Sequence, residues 1–163
     1  MQLVSDPGAS ARSKYSNQKN MDNSLVSQCD LVISQPLIWG DMDAYEHVNN
    51  TVYFRFFEDI RMAYFARVGV DQYKAAHGKG PILARTECSF RLPLAYPGTV
   101  QIGTSVSVLS EKKLNMDYYV YSEEHGALAA EGSGLIVFYD YNANKSCAIP
   151  DEIVGRINAT GPV

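Results

Sequence analysis

Between Thr51 and Val68 the chain reads TVYFRFFEDIRMAYFARV, and this stretch limits the possible folds more than any other. Tyr53, Phe56, Phe57, Ile60 and Tyr64 recur at the three-and-four spacing of a helix, and Phe54 and Phe65 widen the stripe. A helix apolar over so much of its surface must be covered on several sides. The chain beyond it has largely the grammar of strands. PILARTECSFRL, TVQIGTSVSVL, LNMDYYVYSE and ALAAEGSGLIVFYDY are β-rich, and LPLAYPG, SEKK and EEHG break them apart. Connections this short make neighbouring strands antiparallel. Ahead of the helix, DLVISQPLI adds a further strand that Pro36 places at a sheet edge or ends early.

The order strand, polar loop, long helix, strands predicts an α+β domain in which one curved antiparallel β-sheet wraps around one long central α-helix. Gly69 is a natural stop for that helix. VDQYKAAHGKG predicts a short second helix ending at Gly78 or Gly80, and PDEIVGRIN a closing helix with Pro150 in its first turn. On the long helix, Arg55 is spaced to meet Asp59, and Glu58 to meet Arg61.

The 163 residues suffice for one domain with a sizeable core. Residues 1–26, rich in Ser, Asn, Lys and Arg, read as a flexible tail, and residues 27–160 as the folded domain. Met21 could itself be a start, and the basic, serine-rich tail also suits an organellar transit peptide. A net charge of −4 gives no basic stripe for nucleic acid. No apolar run is long enough for a membrane span, and Cys29, Cys88 and Cys147 are an odd, scattered set without disulfide or zinc spacing. A cytoplasmic, reducing setting is expected, with no metal.

Immediately before the helix stands WGDMDAYEHVNN, from Trp39 to Asn50, with three carboxylates, a histidine and two asparagines in a dozen positions. A turn and a helix cap use one or two such residues. Asn50 falls at the helix start, where free backbone N–H groups and the positive dipole end point outward. Asp41 reads as a structural residue, bonding loop amides or facing solvent.

The segment WGDMDAYEHVNNTVYFRFFEDIR resembles the signature region of the hot-dog fold acyl-CoA thioesterases, specifically the 4-hydroxybenzoyl-CoA thioesterase-like family. ARTECSFRLPLAYPGTVQI resembles that family's second strand and the turn after it, and the resemblance covers most of residues 28–155. It implies hydrolysis of an acyl-CoA thioester to free carboxylic acid and coenzyme A, without a cofactor, since coenzyme A is part of the substrate. It maps the catalytic carboxylate onto Asp43, as nucleophile or as general base on water, and an oxyanion-binding backbone amide onto Asn50. His47 could orient Asp43, contact the thioester or bond a backbone carbonyl, and Asn49 falls beside the substrate.

The resemblance further implies an acyl pocket drawing on Tyr53 and Phe57, phosphate contacts from Arg91, Lys112 and Lys113, and a homodimer or homotetramer with active sites at the interface. Glu58 is a rival carboxylate, because some hot-dog thioesterases carry theirs on this helix. Two departures bear on substrate choice: Glu46 stands where relatives often have Gly, and Gly98 where they often have an acidic residue. An acyl-carrier-protein thioesterase and a non-catalytic acyl-CoA-binding subunit are the alternative readings.

Overall fold

A computed structural model describes residues 24–161. The start at Met21 and all of the tail but its last three residues therefore lie outside the described residues; residues 24–26 are helical and Val26 is buried.

The aromatic segment forms helix α1, Asn50–Arg67. Asn49 caps it, its side-chain oxygen accepting the Thr51 N–H at 2.9 Å. Val68 closes the helix, and Gly69, at φ 75°, takes the left-handed turn into helix α2, Val70–His77. Gly78, at φ 65°, ends α2 in the same way, with its N–H donating to the Lys74 carbonyl at 2.9 Å.

The strands are β1 (Leu31–Pro36), β2 (Lys79–Phe90), β3 (Thr99–Ser110), β4 (Lys113–Ser122), β5 (Ala127–Asp140) and a two-residue β6 (Lys145–Ser146) that the sequence did not announce. Every pairing is antiparallel and the order is β1-β3-β4-β5-β2, with β6 against β5. Pro36 is the last residue of edge strand β1, paired with Thr99, so it both ends the strand and costs no interior ladder bond. A closing helix α3 covers Asp151–Ala159; Pro150 is its N-cap, one residue before the first turn rather than in it.

The sheet curls around α1 because β4 alternates. Leu114, Met116, Tyr118 and Val120 are buried on the helix side, while Asn115, Asp117 and Tyr119 between them are only partly covered. Phe57 stacks on Tyr118, ring centroids 4.6 Å apart at 12°. These rings need room on β5, where Gly132 pairs with Tyr118 and Gly134 with Met116. A Cβ on Gly132 would lie 2.5 Å from the Phe57 ring and 2.3 Å from the Glu87 carbonyl oxygen.

The charges on α1 do not pair within the helix as their spacing suggested. Arg55 reaches back to Asp41, Asp59 accepts from the Gln35 side chain at 3.0 Å, and Arg61 is buried, donating to the Tyr118 hydroxyl at 3.3 Å. Groups of the loop, β1 and β4 stand within reach of these side chains and take the place of the neighbours one turn away.

Candidate active site

A single 3-10 turn, Trp39–Asp41, carries the chain from β1 to a tight loop closed by a bridge between Met42 and Val48. Asp43 is the keystone of that loop. Its N–H donates to the His47 carbonyl at 2.7 Å and its carbonyl accepts the Glu46 N–H at 3.0 Å. Its carboxylate Oδ1 accepts the Tyr45 N–H at 2.8 Å and, more weakly, the His47 N–H at 3.5 Å. Oδ2 has no hydrogen-bond partner among the described residues. The carboxylate is thus oriented through one oxygen and chemically available through the other.

Glu46 holds φ 61°, the left-handed region that a side chain enters at a cost and Gly enters freely. Gly at this position in the resembling family and Glu here meet the same turn requirement. At the second departure, Gly98 leaves space that the Glu124 carboxylate fills from the β4–β5 turn, its Oε1 accepting the Thr99 N–H at 2.9 Å.

Asp41 buttresses the loop from below. Its side chain ion-pairs with Arg55 of α1, and its carbonyl accepts the Asn49 N–H at 2.9 Å. The Val48 N–H donates to the Leu94 carbonyl at 2.7 Å, which ties the loop to the segment leaving β2. Loop, helix start and the end of β2 are therefore one bonded unit.

These three segments enclose a cleft of about 390 Å3 lined by Asp43, His47, Asn50, Tyr53, Phe90 and Arg91, with Val48, Leu92 and Pro93 completing its wall. Five residues singled out in the sequence, Asp43, His47, Asn50, Tyr53 and Arg91, thus share one cleft. The Asn50 N–H, first of the helix, has no acceptor among the described residues. The His47 ring is exposed and makes no hydrogen bond among them either, while its backbone carbonyl and N–H both bond Asp43. Tyr53 is buried, packed edge-on to Phe90 at 5.0 Å, and burial pushes its phenol up to about 12, so it stays protonated at neutral pH.

Four candidates lie elsewhere. Asn49 is the helix cap and is engaged with Thr51. Phe57 is wholly buried against the sheet and does not line the cleft. Lys112 and Lys113 are at the β3–β4 turn, where Lys113 pairs with Val137 of β5, whereas Phe90 at the cleft pairs with Ala130. Seven residues of β5 separate those two points, roughly 23 Å at the usual strand rise. The rival Glu58 is exposed and faces a different depression, with Gln35, Asp41, Arg55 and Asp59.

Sequence reasoning missed Phe90, Leu92 and Pro93, although the breakers in RLPLAYPG marked where β2 had to end. Arg91 does not stand alone: it ion-pairs with Glu131. Among the described residues no three His, Cys, Asp or Glu side chains gather as metal ligands would.

Comparison with known proteins agrees with this geometry. The family model of the thioesterase-like superfamily matches residues 37–157. The long-chain acyl-CoA thioesterase FadM of Escherichia coli is 23% identical over 112 residues, 69% of this chain and 85% of FadM. The structure of the PA2801 protein of Pseudomonas aeruginosa superposes with a TM-score of 0.71 at 31% identity, covering 80% of this chain and 99% of that one. A 1,4-dihydroxy-2-naphthoyl-CoA thioesterase from Synechocystis shares the fold, with a TM-score of 0.71 at 12% identity over 78% of this chain and 94% of its own. A curled antiparallel sheet around one helix, an Asp-bearing loop at that helix's N-terminus and a family match over residues 37–157 lead to one assignment: the chain belongs to the thioesterase-like superfamily and is a hot-dog thioester hydrolase.

Proposed function

We propose that the protein hydrolyses acyl-CoA to a free carboxylic acid and coenzyme A in the cleft of Asp43, Asn50 and Arg91. The observation that carries this reading is the placement of an oriented carboxylate, free at Oδ2, in the same cleft as the Asn50 N–H, the one first-turn amide that the Asn49 cap leaves without an acceptor among the described residues. Thioester hydrolysis needs both parts, a base or nucleophile and a donor for the oxygen that becomes negative. Acting as a base, Asp43 takes a proton from water while the water oxygen bonds to the carbonyl carbon. The carbonyl electron pair moves onto the oxygen, which the Asn50 N–H stabilises. Collapse breaks the C–S bond, and the departing thiolate takes up the proton. Acting as a nucleophile, Asp43 would bond to the carbonyl carbon and expel the coenzyme A thiolate as the C–S bond breaks, and water would then open the anhydride, its oxygen going to the acyl group and its proton to the thiolate. His47 and the Asn49 cap hold the loop and helix start in register, and Tyr53 and Phe90 form the cleft wall.

The second copy of the chain belongs to this reading. β2 is an edge strand of twelve residues with Ile82, Leu83 and Phe90 exposed along it. Such an edge is a template for pairing. Antiparallel pairing of two β2 strands would set the cleft of one copy beside the far end of its partner's sheet. Lys113 of the partner subunit pairs with Val137, which pairs with Ile82, so that end brings cations toward the phosphates of coenzyme A. Light scattering is expected to give a dimer or tetramer at micromolar concentration; a monomer overturns the interface site. The three cysteines are free thiols, which supports a reducing, cytoplasmic setting.

The deciding experiment is a hydrolysis screen of short, medium, long and aromatic acyl-CoAs, read by thiol release, with acyl-carrier-protein thioesters as a second series. Turnover of at least one acyl-CoA is expected. Uniform inactivity on acyl-CoA, or activity confined to carrier-protein thioesters, overturns the proposal.

A further inference from the structure

The loop that presents Asp43 has a second side. Asp43 also lines a separate depression of about 480 Å3 walled by Trp39, Gly40, Met42, Glu46, Ala95 and Tyr96. Two large apolar side chains on its wall are exposed, Trp39 at 72% and Tyr96 at 48%. Clustered exposed apolar side chains of this kind mark a surface that a ligand or partner covers. Ligand sites commonly have volumes of about 300–1,000 Å3, and the depression falls in that range.

We propose that this depression receives the acyl group of the substrate, as an uncharged chain or ring, while the coenzyme A arm leaves through the cleft of Asn50, Tyr53 and Arg91. The proposal rests on the acyl-CoA hydrolysis argued above. Two arms diverge from the reacting carbon of an acyl-CoA; one is uncharged and the other ends in phosphates. The two hollows that meet at Asp43 differ in the same sense. The first contains Arg91 and His47. The second is lined by no Lys, Arg or His, and by two carboxylates, Asp43 and Glu46, which repel a phosphate and leave an alkyl or aryl group indifferent. Trp39 and Tyr96 offer broad apolar faces, and Met42 adapts its shape to what lies between them.

The helix face offers less to an acyl group. Phe57 is inaccessible at 0% exposure and Tyr53 nearly so at 3%. Exposed apolar surface lines both hollows, Phe90 in the first and Trp39 and Tyr96 in the second, so it is the charges beside it that tell the two apart.

Trp39 is the only tryptophan of the chain, so its emission reads this depression directly. The full-length wild-type protein is titrated with coenzyme A, with a dodecyl-CoA thioether that cannot be hydrolysed, and with laurate. A blue shift of Trp39 emission is expected with the thioether and with laurate, and not with coenzyme A. In hydrolysis, Tyr96→Ala is expected to lower kcat/KM for lauroyl-CoA relative to acetyl-CoA by about tenfold, through loss of apolar contact in binding and transition state alike. An equal shift with coenzyme A would assign the depression to the coenzyme and overturn the proposal. So would a shift produced by protein concentration alone, which would make a second copy the occupant. A silent Trp39 in a protein that turns over lauroyl-CoA also overturns it. A protein inactive on every acyl-CoA that nevertheless shifts with thioether and laurate refutes the hydrolysis and retains the acyl site.

Discussion

Replacing Asp43 by Asn is expected to lower turnover of a good acyl-CoA substrate by at least about a hundredfold, the lower range for a positioned acid–base group. Asn preserves the shape, and its carbonyl oxygen can accept the Tyr45 N–H that now binds Oδ1 at 2.8 Å. What is lost is the charge on the second oxygen, and with it the base or nucleophile. KM should move far less than kcat, because the carboxylate acts on the reaction more than on binding. Asp41→Asn should be milder: the ion pair with Arg55 weakens, but Arg55 is 60% exposed and such pairs contribute about 0–1 kcal/mol. The melting temperature of each variant is measured alongside, and a natively melting Asp43→Asn protein with wild-type turnover refutes the mechanism.

The largest effect on stability is expected at Gly132. Gly132→Val places a Cβ 2.3 Å from the Glu87 carbonyl oxygen and 2.5 Å from the Phe57 ring. The first obstacle is backbone of the adjacent strand and cannot rotate away. Overpacking of this kind costs about 3 kcal/mol, near the upper end of its usual range, which at this chain length lowers the melting temperature by roughly 6–12 °C. Gly132→Ala meets the same Cβ clash and should fall in the same direction. Gly155→Ala is the comparison, since a Cβ there meets nothing within 4 Å and α3 gains a better helix former. If Gly132→Ala melts with the wild type, the close approach of α1 to β5 is not what the helix needs.

The aromatic periodicity of residues 51–68 and the four strand runs behind it made the architecture legible, because a helix with so wide an apolar stripe succeeded by antiparallel strands leaves few ways to bury it. Local grammar also placed one turn at Gly69 and the next at Gly78 or Gly80, and the left-handed backbone that favours Gly falls at Gly78. The polar loop announced itself by composition, and resemblance pointed to Asp43 within it.

Partnerships across the chain were not legible, because spacing along a helix says nothing of what packs above it. Arg55 chose Asp41 over Asp59, and Arg61 chose the Tyr118 hydroxyl over Glu58. Phe57, which the resemblance offered to the acyl pocket, went wholly into the core, since the sheet closes over that face of α1. Lys112 and Lys113 were set at the opposite end of the sheet from the cleft by the register of β4 on β5, a quantity fixed by long-range pairing. The main helices and strands and the gathering of polar residues ahead of the long helix were legible in the sequence alone. Only the tertiary structure decided which of those residues meet, because each meeting is fixed by strand register and by burial on a shared face.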